Sequence, residues 1–444
     1  MPGSRRWLDR VDLRRGGGIV PFALGSAGIS LVLFAYYAWA WRGLAGFKEA
    51  IKVCDELFCD FIIYYYPMGE AVFREGFPVS GFLYSPFIAI LLAAFPPLGL
   101  SVSLVLWGIL QAVFVVLYLL LFRRLVPAGL PIQLLFVALV LSSYPVLLNL
   151  LGGQVGVFMT AALLGLLALY ERGRHAGAAG LFALAVSFKY YPIIFFAPFA
   201  ARRDTRFLLH AAAACVVFLF AVPGVLLGFG DTVRFYGGLL DAFHDSEWIV
   251  ANPHSQFLPH VVFRLADAAG GDADAYLPFL RWIAYGVAAI NMGLLFLVQR
   301  ARLRHADLWS FQLVFLTIPF VLKSSWPHDF IFLSFTQAFL AWWLVGGEKA
   351  DPGADATRKR PHASGWRGRV ARARTAVNLL LLLVSIVFSN IVFFNLFGDF
   401  VGFGFCSFLF WANLLLLIVS YMELLPPALR RLRVQPGCSV GITG

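Results

Sequence analysis

Long apolar runs separated by short polar segments extend through almost the whole of the 444-residue chain. An apolar stretch of about 20 residues matches the hydrocarbon thickness of a bilayer. Because lipid offers the backbone no hydrogen-bond partner, each run is expected to be helical. Runs of spanning length occur at 19–41, 102–122, 131–150, 155–170, 206–228, 276–298, 308–322, 328–346, 375–397 and 400–422. The pattern predicts an all-α polytopic membrane protein with about 10 full transmembrane helices.

Two further apolar segments are interrupted. Segment 82–98 is short and bounded by prolines, and segment 177–200 is broken in the middle by Lys189-Tyr190-Tyr191-Pro192. Proline inside an apolar helix kinks or breaks it, and broken membrane helices usually line a cavity. We therefore expect two broken or re-entrant helical segments in addition to the full spans.

The composition excludes a soluble protein, and the charge distribution suggests a topology. Residues are 60% hydrophobic and only 13% charged, whereas a soluble chain carries about 25% charged residues. The net charge of +11 comes from arginine clusters beside the apolar runs, as the positive-inside rule predicts, so no nucleic-acid partner is expected. The clusters lie at 5–15, 123–124, 172–174, 202–206, 300–304, 358–374 and 430–433.

Placing every arginine cluster in the cytoplasm puts both termini there and puts loops 42–81 and 229–275 outside, together with the turns at 152–154 and 323–329. This solution requires the two interrupted segments not to span. The alternative, in which both span fully, keeps the termini in place but moves Arg123, Arg124, Arg172 and Arg174 outside.

On this topology the extracytoplasmic side collects polar groups. Asp55, Glu56 and Asp60 lie in the first loop, Lys189 at the apex of the broken segment, and His328 in the 323–329 turn. A carboxylate that accepts a proton, together with cations that stabilise a departing phosphate, suits group transfer from a phosphate leaving group.

Simpler interpretations remain open for each of these residues. Asp55 and Glu56 fit a solvated loop face, and Asp60 fits an interfacial helix cap. Lys189 could be a lysine that snorkels to the membrane surface, and His328 could satisfy its loop. Metal binding has no support from ligand spacing. Cys54 and Cys59 could pair outside the cytoplasm, but their five-residue helical spacing disfavours a bridge.

Six stretches, in order, resemble bacterial membrane glycosyltransferases of family 87 in the GT-C superfamily, which include mannosyltransferases that use polyprenyl-phosphate-mannose. They are Asp60-Phe61 with Tyr64, Phe82-Leu83-Tyr84-Ser85-Pro86, Gly153-Gln154, Phe188-Lys189-Tyr190-Tyr191-Pro192, Ser255-Gln256-Phe257-Leu258-Pro259 with Arg264, and Trp326-Pro327-His328. The chain departs from the family pattern at Ser85, His254 and Asp329.

The resemblance implies a GT-C-type fold in a bacterial inner membrane. It also implies an inverting transfer of a sugar, with mannose favoured, from a polyprenyl-phosphate donor to a lipid or glycan hydroxyl outside the cytoplasm. It implies that Asp60 is the general base, assisted by His328. Lys189 and Arg264 would bind the donor phosphate, and no cofactor would be required. Substrate contacts would come from Tyr64, Tyr84, Gln154, Ser255, Gln256 and Trp326.

With that function, four parts are expected. They are a catalytic membrane module at 1–228 with its loop 42–81, a second loop with supporting helices at 229–346, a basic cytoplasmic linker at 347–374, and a C-terminal helical hairpin with a basic tail at 375–444. A transporter or flippase of lipid-linked sugars is the main alternative, and a non-catalytic membrane subunit is a third. Convergence of Asp60, Lys189 and His328 in one cavity would favour the transferase.

Overall fold

The computed structural model describes residues 18–41, 56–74, 78–244, 249–271, 273–347, 366–397 and 400–434. The α-helices of this part are Ile19–Ala40, Tyr66–Ala71, Pro86–Leu92, Leu100–Leu125, Leu130–Leu141, Tyr144–Gly152, Gly156–Tyr170, His175–Phe188, Ala197–Arg202, Thr205–Val216, Val222–Leu227, Phe229–His244, Leu258–Ala268, Ala273–Arg300, Ala306–Val321, Phe332–Trp342, Trp366–Phe388, Ile391–Phe397, Phe400–Phe405 and Phe408–Val434. Single π-helical turns occupy Phe61–Tyr65, Val217–Ala221 and Trp343–Gly347, and 3₁₀ turns occupy Pro96–Leu98, Tyr191–Phe196 and Pro327–Asp329. The predicted all-α class is confirmed for these residues.

Five described helices are long and apolar enough to cross a membrane: Ile19–Ala40, Leu100–Leu125, Thr205–Leu227, Asp274–Arg300 and Phe400–Arg431. A sixth results if Tyr144–Gly152 and Gly156–Tyr170, bent by 115° at their junction, are taken as one span. Large apolar side chains such as Val105, Ile109 and Val116 are exposed on the outer faces, as lipid contact requires. The membrane character is confirmed, whereas the count of ten spans is not.

The two interrupted segments are broken where the sequence indicates. Ser85 accepts a hydrogen bond from the Ile88 amide and starts the short helix Pro86–Leu92, which is followed by the turn Pro96–Leu98. Helix His175–Phe188 ends at Lys189, whose backbone is extended, and the 3₁₀ turn Tyr191–Phe196 begins with Pro192 in its first positions. Both breaks therefore follow from a cap or a proline.

Two breaks, within the predicted spans 131–150 and 375–397, were not predicted. Segment 131–150 is not one helix, because Ser143 caps a new helix, Tyr144–Gly152, that carries Pro145 in its first turn. The freed backbone pairs with a second break in the C-terminal hairpin: the Tyr144 amide donates to Ser389 O (2.9 Å) and the Ile391 amide donates to Ser142 O (2.9 Å). The two breaks are almost 250 residues apart in the chain, so the local sequence pattern does not indicate that they pair.

The main core lies among helices Gly156–Tyr170, Ala306–Val321 and Phe332–Trp342, whose side chains are almost all buried. A second, smaller core joins the first loop to helix Pro86–Leu92 and to Trp107, and it forms the floor of the site described below. The C-terminal helices Trp366–Phe388 and Phe408–Val434 pack against each other and against the body. Most of segment 347–374 lies outside the described residues, and the four predicted parts stay a prediction.

Candidate active site

Asp60 lies at the start of the π-helical turn Phe61–Tyr65, but its side chain makes no capping bond with that turn. Its Oδ2 instead accepts a hydrogen bond from Gln154 Nε2, across 94 residues of sequence. Interpreting Asp60 as a helix cap is therefore wrong. The carboxylate is directed toward the turn that joins the two sharply bent helices.

Gln154 connects Asp60 to a pair of buried tyrosines. Its Oε1 accepts from Tyr65 OH at 3.1 Å and from Tyr84 OH at 3.3 Å, and the two tyrosine oxygens are 2.6 Å apart. Burial raises the pKa of both phenols, so they stay protonated and remain hydrogen-bond donors. Aspartate, amide and phenols thus form one continuous network.

Lys189, His328 and Asp329 form the second half of the site. Lys189 Nζ lies 2.6 Å from Asp329 Oδ1 and 3.3 Å from His328 Nε2. The Asp329 side chain is fully buried, while that of Lys189 keeps 18% of its surface exposed. Asp329 Oδ2 also accepts from the Trp326 amide at 3.1 Å, which fixes the turn. Lys189 is therefore an ion-paired lysine of the protein interior and does not snorkel.

Charges in the two halves affect each other. Burial raises the pKa of Asp60 above its usual value, while the hydrogen bond from Gln154 and the positive charge of Lys189 oppose that rise. Burial and Lys189 together lower the pKa of His328 to about 3. His328 is therefore neutral at physiological pH, and because an ammonium group only donates, Nε2 must accept and the proton sits on Nδ1.

The structure thus brings together Asp60, Tyr84, Gln154, Lys189 and His328 from five separate sequence motifs. Tyr64 is half-buried beside them, and the charge of Asp60 contributes to raising its pKa after burial itself. Trp326 is half-buried in the same turn as His328. Whether each residue acts as predicted stays a prediction, but Asp60, Lys189 and His328 lie close to one another.

Ser255, Gln256 and Arg264 lie in a different cluster. Arg264 donates to Asn252 O, Ser255 O and Ser407 Oγ, each at 2.8 Å. Ser255 Oγ donates to Lys323 O (3.1 Å), and the Gln256 amide donates to Ser325 O (2.8 Å). All three side chains are buried. They hold the start of the turn that carries His328, and they do not face Asp60 through any described contact.

Sequence reasoning missed a polar stripe on helix Leu100–Leu125. Ser103, Trp107, Gln111 and Tyr118 are buried on one face. They donate to Phe95 O (2.9 Å), Gly153 O (2.9 Å), Gln154 O (2.6 Å) and Ile331 O (3.0 Å), respectively. Polar residues at helical spacing within an apolar run were the available signal. Tyr65 was also missed, and Asp329 was noted without a role.

An apolar cavity of about 150 Å³ lies among helix Pro86–Leu92, helix Leu100–Leu125 and Phe188, close to the tyrosine pair. Its wall includes Leu91 and Leu110, which are exposed on the outside of the bundle. Trp107 and Phe188 line this cavity and also the adjoining narrow space in which Tyr65 and Tyr84 lie. The tyrosine pair therefore packs against the same side chains that line the apolar cavity.

Other sequence expectations have mixed outcomes. Cys59 is disulfide-bonded, whereas Cys54 lies outside the described residues, so the expectation against a bridge between these two stays a prediction. Asp55 also lies outside them, and Glu56 is exposed. Within the described ranges, no three His, Cys, Asp or Glu side chains are grouped closely enough to hold a metal ion.

No curated protein and no solved structure matches this chain. The sequence model of glycosyltransferase family 87 matches residues 82–325, which is more than half of the chain. Tyr84, Gln154 and Lys189 lie inside the matched region, while Asp60 precedes it and His328 follows it. The resemblance seen in the sequence motifs is confirmed, and the chain belongs to family 87 of the membrane glycosyltransferases.

Proposed function

We propose that this protein transfers a sugar from a polyprenyl-phosphate donor to a hydroxyl of a lipid or glycan acceptor on the extracytoplasmic face of a bacterial inner membrane. Mannose is the favoured sugar. The observation that carries the proposal is the convergence of a carboxylate, an amide, a lysine and a histidine, with two buried tyrosines bonded to the amide. Family membership supports glycosyl transfer, and the site supports the chemistry of a lipid phosphate donor.

In the proposed reaction, the acceptor oxygen attacks the anomeric carbon while the bond from that carbon to the phosphate oxygen breaks. Asp60 takes the proton of the acceptor hydroxyl, and the electron pair of the broken bond leaves with the polyprenyl phosphate. Attack opposite the leaving group inverts the configuration. Phosphate is already a good leaving group, so no strong general acid is needed.

Lys189 is the fixed cation proposed to contact the donor phosphate. Its ammonium group has three donors, of which the protein uses two, toward Asp329 and His328. Its partial exposure leaves a side open to an incoming anion. Arg264 is assigned a structural role instead, because both of its terminal nitrogens already bind protein oxygens.

The apolar cavity is proposed to receive the part of the polyprenyl chain next to the phosphate. Its exposed leucines open it toward lipid, so a membrane-embedded chain could enter without crossing water. Charge placement in the sequence supports the extracytoplasmic side, and so does the disulfide at Cys59, because disulfides persist in oxidising compartments.

The test is transfer of labelled mannose from polyprenyl-phosphate-mannose by membranes that contain the full chain. Asp60→Asn should lower the rate at least about 100-fold, the usual effect of losing a general base. Glu56→Gln is the matched control, because Glu56 is an exposed carboxylate of the same loop and should leave the rate unchanged. Undiminished transfer by Asp60→Asn would remove Asp60 as the base.

A further inference from the structure

We propose that Gln154 is a positioning residue that, together with Tyr65 and Tyr84, fixes the Asp60 carboxylate and leaves Oδ1 as the atom that takes the proton. This inference rests on the proposed function. It also changes the predicted role of Gln154, because its side-chain oxygen and one of its two amide hydrogens are already bonded to protein groups.

The orientation of the Gln154 amide follows from its partners. An ionised carboxylate can only accept hydrogen bonds, so the NH₂ group must face Asp60. Oε1 then faces Tyr65 and Tyr84, which can donate to it. With one bond between the two phenols, at least one of their hydrogens still reaches Oε1. The tyrosines therefore specify which end of the amide meets Asp60.

The backbone of Gln154 is held equally firmly. Its amide donates to Asn149 O (2.9 Å), and its carbonyl accepts from Gln111 Nε2 (2.6 Å). Asn149 Nδ2 donates to Gln111 Oε1 (3.2 Å), which closes the network. Gly153, the preceding residue, has φ +70°, and Trp107 donates to its carbonyl. Gln154 is thus a fixed point to which the first loop is attached.

Oδ2 of Asp60 is used by Gln154, whereas Oδ1 accepts no hydrogen bond from any described residue. Oδ1 is therefore the oxygen available to an acceptor hydroxyl. The titratable and charged groups that act on Asp60 are Tyr64 and Tyr65 of its own segment, Tyr84, and Lys189 with its partners His328 and Asp329.

The pH dependence gives a signature of this role. A base must be ionised to act, so the rate falls as the pH drops through the pKa of Asp60. The hydrogen bond from Gln154 stabilises the ionised form and lowers that pKa against the effect of burial. Removing the donor should therefore move the acid limb of kcat/KM to higher pH. A packing role alone would change the rate and leave the limb in place.

The experiment measures the pH profile of kcat/KM for sugar transfer by the full-length enzyme in nanodiscs. In Gln154→Leu the apparent pKa of the acid limb should increase by about one pH unit. In the isosteric Gln154→Glu it should rise further, because a second carboxylate replaces the donor. Tyr84→Phe, which leaves the amide in place, should give a smaller rise and covers the case in which the Gln154 variants fold poorly.

The matched control is Gln312→Leu, which removes a buried amide bonded to Ser420 Oγ (2.7 Å) away from the site and should leave the limb where it is. If the acid-limb pKa of all three site variants equals that of the wild type while Asp60→Asn is inactive, the role of Gln154 is overturned. The proposed function would still stand. Wild-type enzyme that transfers no sugar from any polyprenyl-phosphate donor would overturn both.

Discussion

Lys189 shows how a single residue can be recognised as important while its surroundings stay hidden. A charged lysine flanked by aromatic residues in an apolar run has a high free-energy cost, and the sequence identified Lys189 for that reason. Its partner is Asp329, 140 residues away and next to the predicted His328. The departure from the family pattern at Asp329 is therefore a buried counterion, and its carboxylate also holds the turn.

We expect Lys189→Met to destabilise the protein by about 3 kcal/mol, since it leaves a fully buried carboxylate without its counterion. Asp329→Asn should cost less, because Lys189 is partly exposed and can reach water. Thermal unfolding of purified protein measures both effects.

Lys323→Met is the control for this pair, because Lys323 is an exposed lysine of the same turn. Equal losses in Lys189→Met and Lys323→Met would show that the buried ion pair contributes nothing to stability. The double variant Lys189→Met with Asp329→Leu should recover part of the loss, since it removes both charges together.

At the scale of elements, the site is assembled from helix ends and held by one continuous helix. Helix Leu100–Leu125 uses a single polar stripe to bind the carbonyls of three separate breaks. The 115° bend after Gly152 is stabilised by Asn149, whose Oδ1 accepts from the Gly156 amide at 2.7 Å and caps the next helix. Broken helices supply the functional groups, and an unbroken helix fixes their positions.

Gly156 is where two of these elements touch. A Cβ at this position would lie 2.4 Å from the His328 carbonyl oxygen, so Gly156→Ala must push the His328 turn away. We expect transfer activity to fall at least tenfold, since displacements of about 1 Å are costly in catalysis. Initial-rate assays in membranes measure this loss.

Gly180→Ala is the comparison, because nothing lies within 4 Å of a Cβ at that helical position. It should keep wild-type activity and gain slightly in stability through helix propensity. Full activity in Gly156→Ala would mean that the His328 turn can move without consequence for the reaction.

For the molecule as a whole, the C-terminal hairpin is packed onto the body by polar contacts, and it lies outside the region that matches the family. Glu423 accepts from Trp343 Nε1 (3.1 Å), Arg374 Nη2 (3.0 Å) and Asn378 Nδ2 (2.7 Å). Earlier in the hairpin, Ser407 accepts from Arg264, and Phe410 donates its amide to Gln256. The hairpin therefore supports the segment that holds the His328 turn.

Glu423→Ala should lower stability by about 2 kcal/mol, because it leaves several donors unpaired inside the bundle. Glu423→Gln keeps one acceptor oxygen and should lose less. Thermal unfolding and protease sensitivity measure the effect, with Arg430→Ala as control, since Arg430 is exposed on the same helix. Equal stability of Glu423→Ala and Arg430→Ala would contradict a docking role for Glu423.

The sequence by itself determined the membrane character, the all-α class, the family and the positions of the two interrupted segments. These properties depend on composition, on apolar run length and on local proline or cap chemistry, which act within a few residues. The motif order also identified Asp60, Gln154, Lys189 and His328 as members of one site before their contacts were known.

Only the tertiary structure decided how those residues are paired. That Gln154 meets Asp60, that Asp329 neutralises Lys189 and that Arg264 serves the backbone of another cluster all depend on contacts across 9 to 140 residues. Side-chain hydrogen bonds and ion pairs form wherever packing places donor and acceptor at about 3 Å, and no local periodicity encodes that placement. For the same reason the break at Ser142-Ser143, completed by the distant Ser389 and Asn390, was missed.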